Sequence, residues 1–388
     1  MEGGHLSYYA EHGISPVRYE MAGLGEHFDR RDALYRMAGL SPVAFRGARV
    51  LEVAPGSGQN SLYVACQHPA HYELVEPNPA GLRDIKAAYE SVTVPHTVPT
   101  LQPVRLEEYA PDQLFDIVLC ENWLGSLPEE LAHIDKLAGL VAPGGTLVIT
   151  AVPLAGFFPN VMRKLMAIRL TRDNGNFQSK TADLLEAFSP HLATIPGMTR
   201  SHEDWVHDCM VNPHYLRVAL PFDTLVAAVG EEMEVLSSSP RFQTDWRWFK
   251  SMTGENRDYN KRFLDATAAS ILNFLDYRRE FEAAPAAVAK ELEVLFAGGY
   301  QQALDWETAF LEDDDDRCHD VGALLVETLT ALSQTLGALD PGFKGVFEEL
   351  RDVWLQTDIT TEAVANMKQF NGLFGRETVY VSFTRARS

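Results

Sequence analysis

The stretch that decides the fold is VLEVAPGSG, residues 50–58. Its opening apolar run is typical of a strand buried on both faces, as parallel sheets require. The glycines that follow permit positive φ and let the backbone approach a ligand closely. A helix is expected to open at residues 59–61, where its first N–H groups would be free. A tight strand-to-helix turn needs glycine on steric grounds too, so the loop alone does not establish a ligand.

Two glutamates flank this loop and narrow the choice of ligand. Glu52 precedes the glycines, and Glu76 closes the next predicted strand, where nucleotide-binding sheets take ribose hydroxyls. A dinucleotide fingerprint would place a third glycine where this chain has Ser61. A carboxylate repels a pyrophosphate and attracts an ammonium group. The charges therefore favour a zwitterionic cofactor over a dinucleotide.

Apolar strand patterns alternate with helical ones from Arg49 to about Pro153, after a helical pattern over residues 1–46. Such alternation predicts βαβ units and a doubly wound, mostly parallel α/β sheet. A third strand falls somewhere within 92–104, a stretch punctuated by prolines. The other predicted strands of this half are 49–53, 72–75, 115–119 and 146–152.

Beyond Pro153 the chain is less regular to about Pro221, and it is almost wholly helical from 253 to 372. Strand patterns at 233–238 and 378–384 flank that helical block. We expect them to pair antiparallel at the sheet edge, with the block inserted between them. An independent C-terminal helical domain is the alternative. The predicted segments are a helical lid (1–46), the core (47–240, with a substrate-facing insertion at 154–221), a helical insert (241–372) and the last core strand (373–388).

In these motifs the chain resembles the class I, Rossmann-like S-adenosylmethionine-dependent methyltransferases. Their first motif is an acid followed by glycines, E/D-x-G-x-G-x-G, in which Ala54 here replaces the first glycine. Further landmarks are FDIV at 115–118 and LVAPGGTL at 140–147. The resemblance covers roughly residues 48–153 and the final strand.

The resemblance implies S-adenosyl-L-methionine as cofactor and S-adenosyl-L-homocysteine as product. It places Glu52, Ala54, Gly56 and Gly58 at the methionine end, and Glu76 with Pro77 at the ribose. Where many members carry an acid near adenine, this chain has Arg105-Leu106, so Leu106 or Glu107 is assigned there. The residues expected to lie near the methyl group are Glu121, Asn122 and Trp123.

Methyl transfer needs a general base only where the acceptor atom is still protonated. His207, oriented by Asp208 or Asp204, is the candidate, because histidine titrates near neutral pH. His202 and Trp205 of the same stretch are predicted to contact substrate, although these groups could instead cap helices and satisfy one another. No metal site is expected, since the histidine spacing is not that of H-E-x-x-H.

Two aromatic clusters flank the core. Arg18 and Tyr19 lie ahead of the first strand, near Tyr8, Tyr9 and His12, and Trp246 lies near the start of the helical insert. They are candidates for a cage around an apolar or cationic substrate. Packing anchors are the alternative reading.

Composition excludes several classes of protein. A net charge of −21 opposes nucleic-acid binding, although Arg163, Lys164, Arg169 and Arg172 could form a local basic patch. The four cysteines are scattered, the N-terminus lacks a signal-peptide pattern, and no apolar run approaches the ~20 residues of a membrane span. We therefore expect a cytoplasmic protein without membrane association.

The sequence is most consistent with methyl transfer to an oxygen or nitrogen atom of a small molecule, with the insert closing over the pocket or forming a homodimer. Three alternatives remain: methylation of a protein or carrier-bound substrate, a non-catalytic cofactor-binding scaffold, and aminopropyl transfer.

Overall fold

The computed structural model describes residues 23–172, 174–198 and 200–386. Seven strands form one sheet in the order β3-β2-β1-β4-β5-β7-β6. Numbered in chain order, they are β1 (Arg49–Val53), β2 (His71–Val75), β3 (Thr100–Gln102), β4 (Phe115–Cys120), β5 (Val141–Ala151), β6 (Met233–Ser239) and β7 (Val379–Arg385).

The first five strands are parallel and the last two form an antiparallel edge. β1 pairs with both β2 and β4, and β5 continues the parallel ladder beside β4. β7 runs antiparallel to β5, and β6 runs antiparallel to β7. This order confirms the predicted doubly wound sheet, including the pairing of the two strands on either side of the helical block. β3 has only three residues, because Pro99 and Pro103 flank it and cannot donate to a ladder.

The chain divides into two compact units, and each is discontinuous in sequence. The sheet unit comprises the described residues up to Val152, together with Arg217–Thr267 and those from Thr378 onward. The helical unit comprises Pro153–Leu216 and Ala268–Glu377. These boundaries differ from the predicted segments, because residues 153–216 group with the helical block and not with the sheet.

In the described part of the chain, the sheet unit has the helices α1 (Leu24–Met37) and α2 (Pro42–Phe45) ahead of β1, and its other helices follow the strands in sequence. The next are α3 (Ser61–Ala65), α4 (Pro79–Ser91), α5 (Pro128–Gly139) and α9 (Phe222–Ala228). Tyr35 of α1 packs against Phe45 and Tyr63, with ring centroids 5.1 and 5.6 Å away. The N-terminal helix is therefore part of this unit's core.

The helical unit is built from two long helices after β5 and a helical bundle further on. It contains α6 (Leu154–Leu170), α7 (Phe177–Leu192), α8 (His202–Trp205), α11 (Ile271–Leu275), α12 (Ala286–Leu311), α13 (Asp315–Leu339), α14 (Pro341–Trp354) and α15 (Thr361–Ala365). Between the units, α10 (Tyr259–Ala269) crosses the boundary in sequence. Neighbouring helices α12, α13 and α14 pack successively against one another.

The expectation of an irregular stretch from 154 to 221 is wrong, because α6 and α7 fill much of it. Every residue of α6 from Ala155 to Ala167 is buried, so the helix lacks the polar face that gives a helical period. Pro159 and Pro190 also lie inside these helices. The predicted basic patch is wrong for the same reason, since Arg163 and Lys164 are buried.

One helix of the described residues, α13, is long and apolar enough to cross a membrane by length and composition. This differs from the expectation that no such run exists. Its fully buried residues follow the three-and-four spacing of an amphipathic helix packed on a core, and they are Leu325, Leu329, Leu332 and Leu336.

A glycine in the β1–α3 turn gives the first prediction. Gly58 has φ of +74°, and a Cβ there would lie 2.8 Å from Ile85 Cγ1 and 3.1 Å from Ile85 Cα. Gly58→Ala is expected to lower the free energy of unfolding by about 2 kcal/mol or more, through left-handed strain and this clash. Urea unfolding of the variant measures the loss. The matched control is Gly139→Ala, where a Cβ meets nothing within 4 Å. Equal stability of the two variants would contradict the close approach seen here.

Candidate functional site

Three strand ends meet at one edge of the parallel sheet. β1, β2 and β4 are neighbours, and each is followed by, or ends in, a glutamate: Glu52 within β1, Glu76 after β2 and Glu121 after β4. All three are buried, with exposed fractions of 4, 5 and 9%. Ligands of open α/β sheets bind outside the carboxyl ends of the strands. The predicted cofactor residues are therefore gathered at the expected place.

The glycine loop has the backbone form that a close-approaching ligand requires. Ala54, Gly56 and Gly58 all have positive φ, at 56, 58 and 74°. Ala54 thus takes the conformation for which the resembling family uses glycine, at a cost of about 1 kcal/mol. Its N–H donates to Val75 O at 3.0 Å, which ties the loop to the end of β2.

Glu52 lies beneath this loop in an environment that disfavours its charge. The Tyr72 hydroxyl donates to its carboxylate. Burial raises the pKa of Glu52 to about 7, and the nearby negative charge of Glu121 adds to the rise. Arg31 acts in the opposite direction but donates its hydrogen bonds elsewhere. A cation placed beside Glu52 would therefore be stabilised strongly.

Glu76 is held by backbone donors. The Asn78 N–H donates to its Oε1 at 2.8 Å, and the Gly56 N–H also bonds the carboxylate. Burial outweighs these bonds and raises the pKa of Glu76. A Cβ on Gly81 would lie 3.1 Å from this carboxylate, so the glycine leaves room for it. Pro77, beside it, is partly exposed.

The sequence analysis expected the Glu121 side chain to face the methyl group of the cofactor. In the structure its carboxylate is instead bonded to other side chains. Arg31 Nη2 donates to its two oxygens at 2.6 and 2.7 Å, and the Tyr35 hydroxyl donates at 2.8 Å. All three side chains are buried. Glu121 is thus a buried anchor between α1 and the end of β4. The sequence analysis selected neither Arg31 nor Tyr35 as a site residue, although their i, i+4 spacing places them on one helix face.

Asn122 and Trp123 extend from the same strand end. Asn122 has φ of 55°, its N–H donates to Thr150 Oγ1 at 3.1 Å, and its Nδ2 donates to the Tyr380 hydroxyl. Its side chain is exposed. Trp123 stacks on His133 with ring centroids 5.2 Å apart. Both are placed by the sheet unit's own strands.

The two candidates for the adenine end differ in exposure. Leu106 is buried, whereas Glu107 is exposed and pairs with His133 Nε2 at 3.0 Å. His133 therefore connects Glu107 to the ring of Trp123. Both candidates belong to the sheet unit, and Glu107 is the one bonded to this aromatic stack.

The acceptor candidates from 202 to 208 lie in the helical unit. His207 Nε2 is 3.2 Å from Thr181 Oγ1, and the ring packs on Phe177. Asp208 accepts from Arg200 Nη2 at 2.8 Å, so its ion pair is with arginine. Trp205 is 5% exposed and packs on Phe188, as a core residue does. His202 is partly exposed.

The remaining candidates are the two aromatic clusters that flank the core in sequence. Arg18 and Tyr19, with Tyr8, Tyr9 and His12, lie outside the described residues. Trp246 is 92% exposed, so the reading of it as a packing anchor is wrong. Within the described ranges, no group of three or more His, Cys, Asp and Glu residues is arranged to hold a metal.

Part of the chain is similar to known methyltransferases. Residues 26–188 match the family described as a methyltransferase domain. The chain is 29% identical over 174 residues to a ubiquinone biosynthesis O-methyltransferase of Xylella fastidiosa strain M23, covering 42% of this chain and 68% of that protein. The protein of the same name from strain 9a5c is 28% identical over the same length.

Two solved structures illustrate the likeness in three dimensions. The N-methyltransferase NodS of Bradyrhizobium japonicum WM9 with S-adenosyl-L-homocysteine is 16% identical, with a TM-score of 0.30, covering 38% of this chain and 74% of that one. PKMT2 of Rickettsia typhi with AdoHcy is 14% identical, with a TM-score of 0.41, covering 61% of this chain and 50% of that one.

Residues 26–188 match a methyltransferase domain, and this match, the strand order and the glycine loop together support a methyltransferase of the class I, S-adenosylmethionine-dependent type.

The buried ion pair at Glu121 gives the second prediction. Glu121→Gln leaves the Arg31 guanidinium buried without its anion, which is expected to cost about 3 kcal/mol of stability. Thermal and urea unfolding measure it. Glu26→Gln is the control, because Glu26 pairs with Arg30 on the surface, where such pairs contribute at most about 1 kcal/mol. A change at Glu121 as small as that at Glu26 would show that α1 is not anchored through this pair.

Proposed function

We propose that the protein transfers the methyl group of S-adenosylmethionine to an oxygen or nitrogen atom of a small-molecule acceptor, and that oxygen is favoured. The observation that supports the cofactor assignment is the buried Glu52 beneath the glycine loop, whose pKa is raised by burial and by the neighbouring Glu121, so that a cationic group would be favoured beside it. The preference for oxygen follows from the curated relatives, which are named O-methyltransferases of a biosynthetic pathway.

Different residues of the chain would bind the methionine end and the ribose of the cofactor. Glu52 would attract the ammonium group, and the positive-φ loop through Gly56 and Gly58 would present backbone N–H groups to the methionine end. Glu76, fixed by its backbone donors, would accept the ribose hydroxyls. Bound S-adenosylmethionine supplies a methyl group already activated as a sulfonium.

The other end of the cofactor is assigned to the apolar and aromatic residues of the sheet unit. Leu106 would pack on the adenine, and Glu107 would accept from its amino group. Asn122 and Trp123 follow β4, and their exposed or partly exposed side chains are available to an acceptor. Excluding water and aligning the acceptor atom with the methyl group account for much of the rate in such a displacement.

The acceptor side of the proposal rests on fewer contacts. His207 remains the proposed general base, with its ring held between Thr181 and Phe177. His202 is proposed to contact the acceptor. The charge of −21 supports a small molecule over a nucleic acid. A cytoplasmic location and a homodimer through the helical insert also remain proposals.

The ionisation of Glu52 gives the third prediction. With a pKa of about 7 in the free protein, Glu52 is largely protonated at pH 6, and a bound ammonium requires the carboxylate. Affinity for S-adenosylhomocysteine, which carries the same ammonium group, is therefore expected to rise as pH increases from 6 to 7.5. Calorimetry measures this, and Glu52→Gln should weaken binding by about 10-fold or more and remove the pH dependence.

The matched control is Glu73→Gln. Glu73 is a buried glutamate of β2 whose pKa is lowered by hydrogen bonds from His71, Gln102 and Tyr109, despite burial. Its variant should keep the rise in affinity with pH. A wild-type protein that binds no S-adenosylhomocysteine would refute the cofactor assignment, and a Glu52→Gln variant with unchanged affinity would refute the role of Glu52.

The reaction type is tested by its products. Incubation with S-adenosylmethionine and catechol is expected to yield S-adenosylhomocysteine and a methyl ether, both measured by mass spectrometry. Methylthioadenosine as the nucleoside product would indicate aminopropyl transfer instead. Methylation of added protein but of no phenol or amine would show that the acceptor class is wrong.

A further inference from the structure

Three neighbouring aromatic side chains of the sheet unit are exposed to water. Trp246, Trp248 and Phe249 have exposed fractions of 92, 64 and 66%. The rings of Trp248 and Phe249 contact each other, with centroids 4.8 Å apart, whereas Trp246 makes no ring contact in the described ranges. Single apolar residues on a surface are ordinary, but neighbouring exposed aromatic residues indicate a surface that binds a partner. Residues 246–250 are called the aromatic segment below.

Ion pairs and a tight turn hold the aromatic segment in place. Arg247 lies between the two tryptophans, and its side chain is only 17% exposed. Its guanidinium donates to Asp245 Oδ2 at 2.6 Å and to Asp258 Oδ1 at 2.7 Å. The Ser251 N–H donates to Trp248 O at 2.9 Å, which closes a turn directly after the rings. The aromatic side chains are therefore presented to water by a backbone that is bonded on both sides of them.

The aromatic segment belongs to the stretch of chain that passes the edge strand β6. This stretch leaves β6 at Ser239 and returns to its start. There Asn260 Oδ1 accepts from the Val235 N–H at 2.8 Å, and Asn260 Nδ2 donates to Met233 O at 2.9 Å. The segment thus lies within the sheet unit, on the side of the sheet opposite β3.

This stretch is basic, although the chain as a whole is acidic. Residues 241–262 include six lysines and arginines and three acidic residues, whereas the whole chain has a net charge of −21. Lys250 pairs with no carboxylate of the described residues, and its Nζ lies 5.9 Å from the ring centroids of both Trp248 and Phe249. A cation and apolar rings are therefore presented together. An anionic surface would be attracted here and repelled by the acidic remainder of the chain.

We propose that the aromatic segment binds an anionic phospholipid bilayer, with its rings among the lipid headgroups and Lys250 beside their phosphates. Tryptophan with nearby basic residues is typical of the membrane–water interface, whereas the centres of protein–protein interfaces are depleted of lysine. Binding of this kind is peripheral and needs no spanning helix. It differs from the expectation of a protein without membrane association, which rested on the length of apolar runs. It does not depend on the proposed function.

The test is co-sedimentation of the full chain with vesicles of phosphatidylcholine, either alone or mixed with phosphatidylglycerol. The wild type is expected to bind the mixed vesicles in preference, and to bind them less as the salt concentration is raised. Replacing both tryptophans, by Trp246→Ala with Trp248→Ala, should weaken binding to the mixed vesicles by about tenfold or more. Lys250→Gln should weaken it by about fivefold at low salt, because one basic residue near an anionic bilayer loses its charge.

Matched controls come from the opposite end of the sheet. Val98→Ser and Lys86→Gln change exposed side chains that precede β3, and both variants should bind the mixed vesicles as the wild type does. Urea unfolding of every variant should match the wild type, because all the changed side chains are exposed.

Four outcomes would overturn the proposal. The wild type could leave the mixed vesicles unbound, or bind both kinds of vesicle equally. The variant without the two tryptophans could bind as the wild type does. Light scattering could show a dimer that this variant abolishes, in which case the aromatic segment is a protein–protein interface and not a lipid-binding surface.

Discussion

The concentration of carboxylates at one edge of the sheet is the constraint around which the sheet unit is organised. Parallel strands end at the same edge, and three of them deliver Glu52, Glu76 and Glu121 there. Each is buried, so each needs partners. Glu121 has an arginine and a tyrosine, Glu76 has backbone N–H groups, and Glu52 has the hydroxyls of Tyr72 and Ser61. The least compensated of the three lies beneath the glycine loop.

Besides packing in the core of the sheet unit, α1 is attached to the edge of the sheet where these carboxylates lie. Arg31 and Tyr35 connect α1 to the end of β4, and His27 and Gln59 bring the start of the same helix beside the glycine loop, 3.1 Å apart. The helix is therefore tied at two points to the edge where the cofactor residues lie. Burial raises the pKa of Glu52, and the Glu121 charge that anchors this helix adds to the rise. Anchoring and cofactor recognition thus draw on the same carboxylates.

The sequence predicted the sheet well because its signals are local. The run from Val50 to Gly58 and the alternating final strand gave strand type, direction and edge pairing, all of which the structure confirms. The two helices after β5 could not be recognised, because α6 is buried on every side and shows no helical period. Arg31 with Glu121, and Asn160 with Glu377, are pairs far apart in sequence. Only the folded chain shows them as partners.

The interleaving of the two units has a consequence for how the protein is made. Ala151 at the end of β5 pairs with Val379 at the start of β7, and β6 has β7 as its ladder partner. During synthesis, this edge of β5 therefore stays unpaired until β7 emerges, although β1 to β4 can already assemble beside its other edge. Long-range strand pairing of this kind is slow, and open edges invite association with other chains. β7 thus completes a sheet whose glycine loop was translated more than 300 residues earlier.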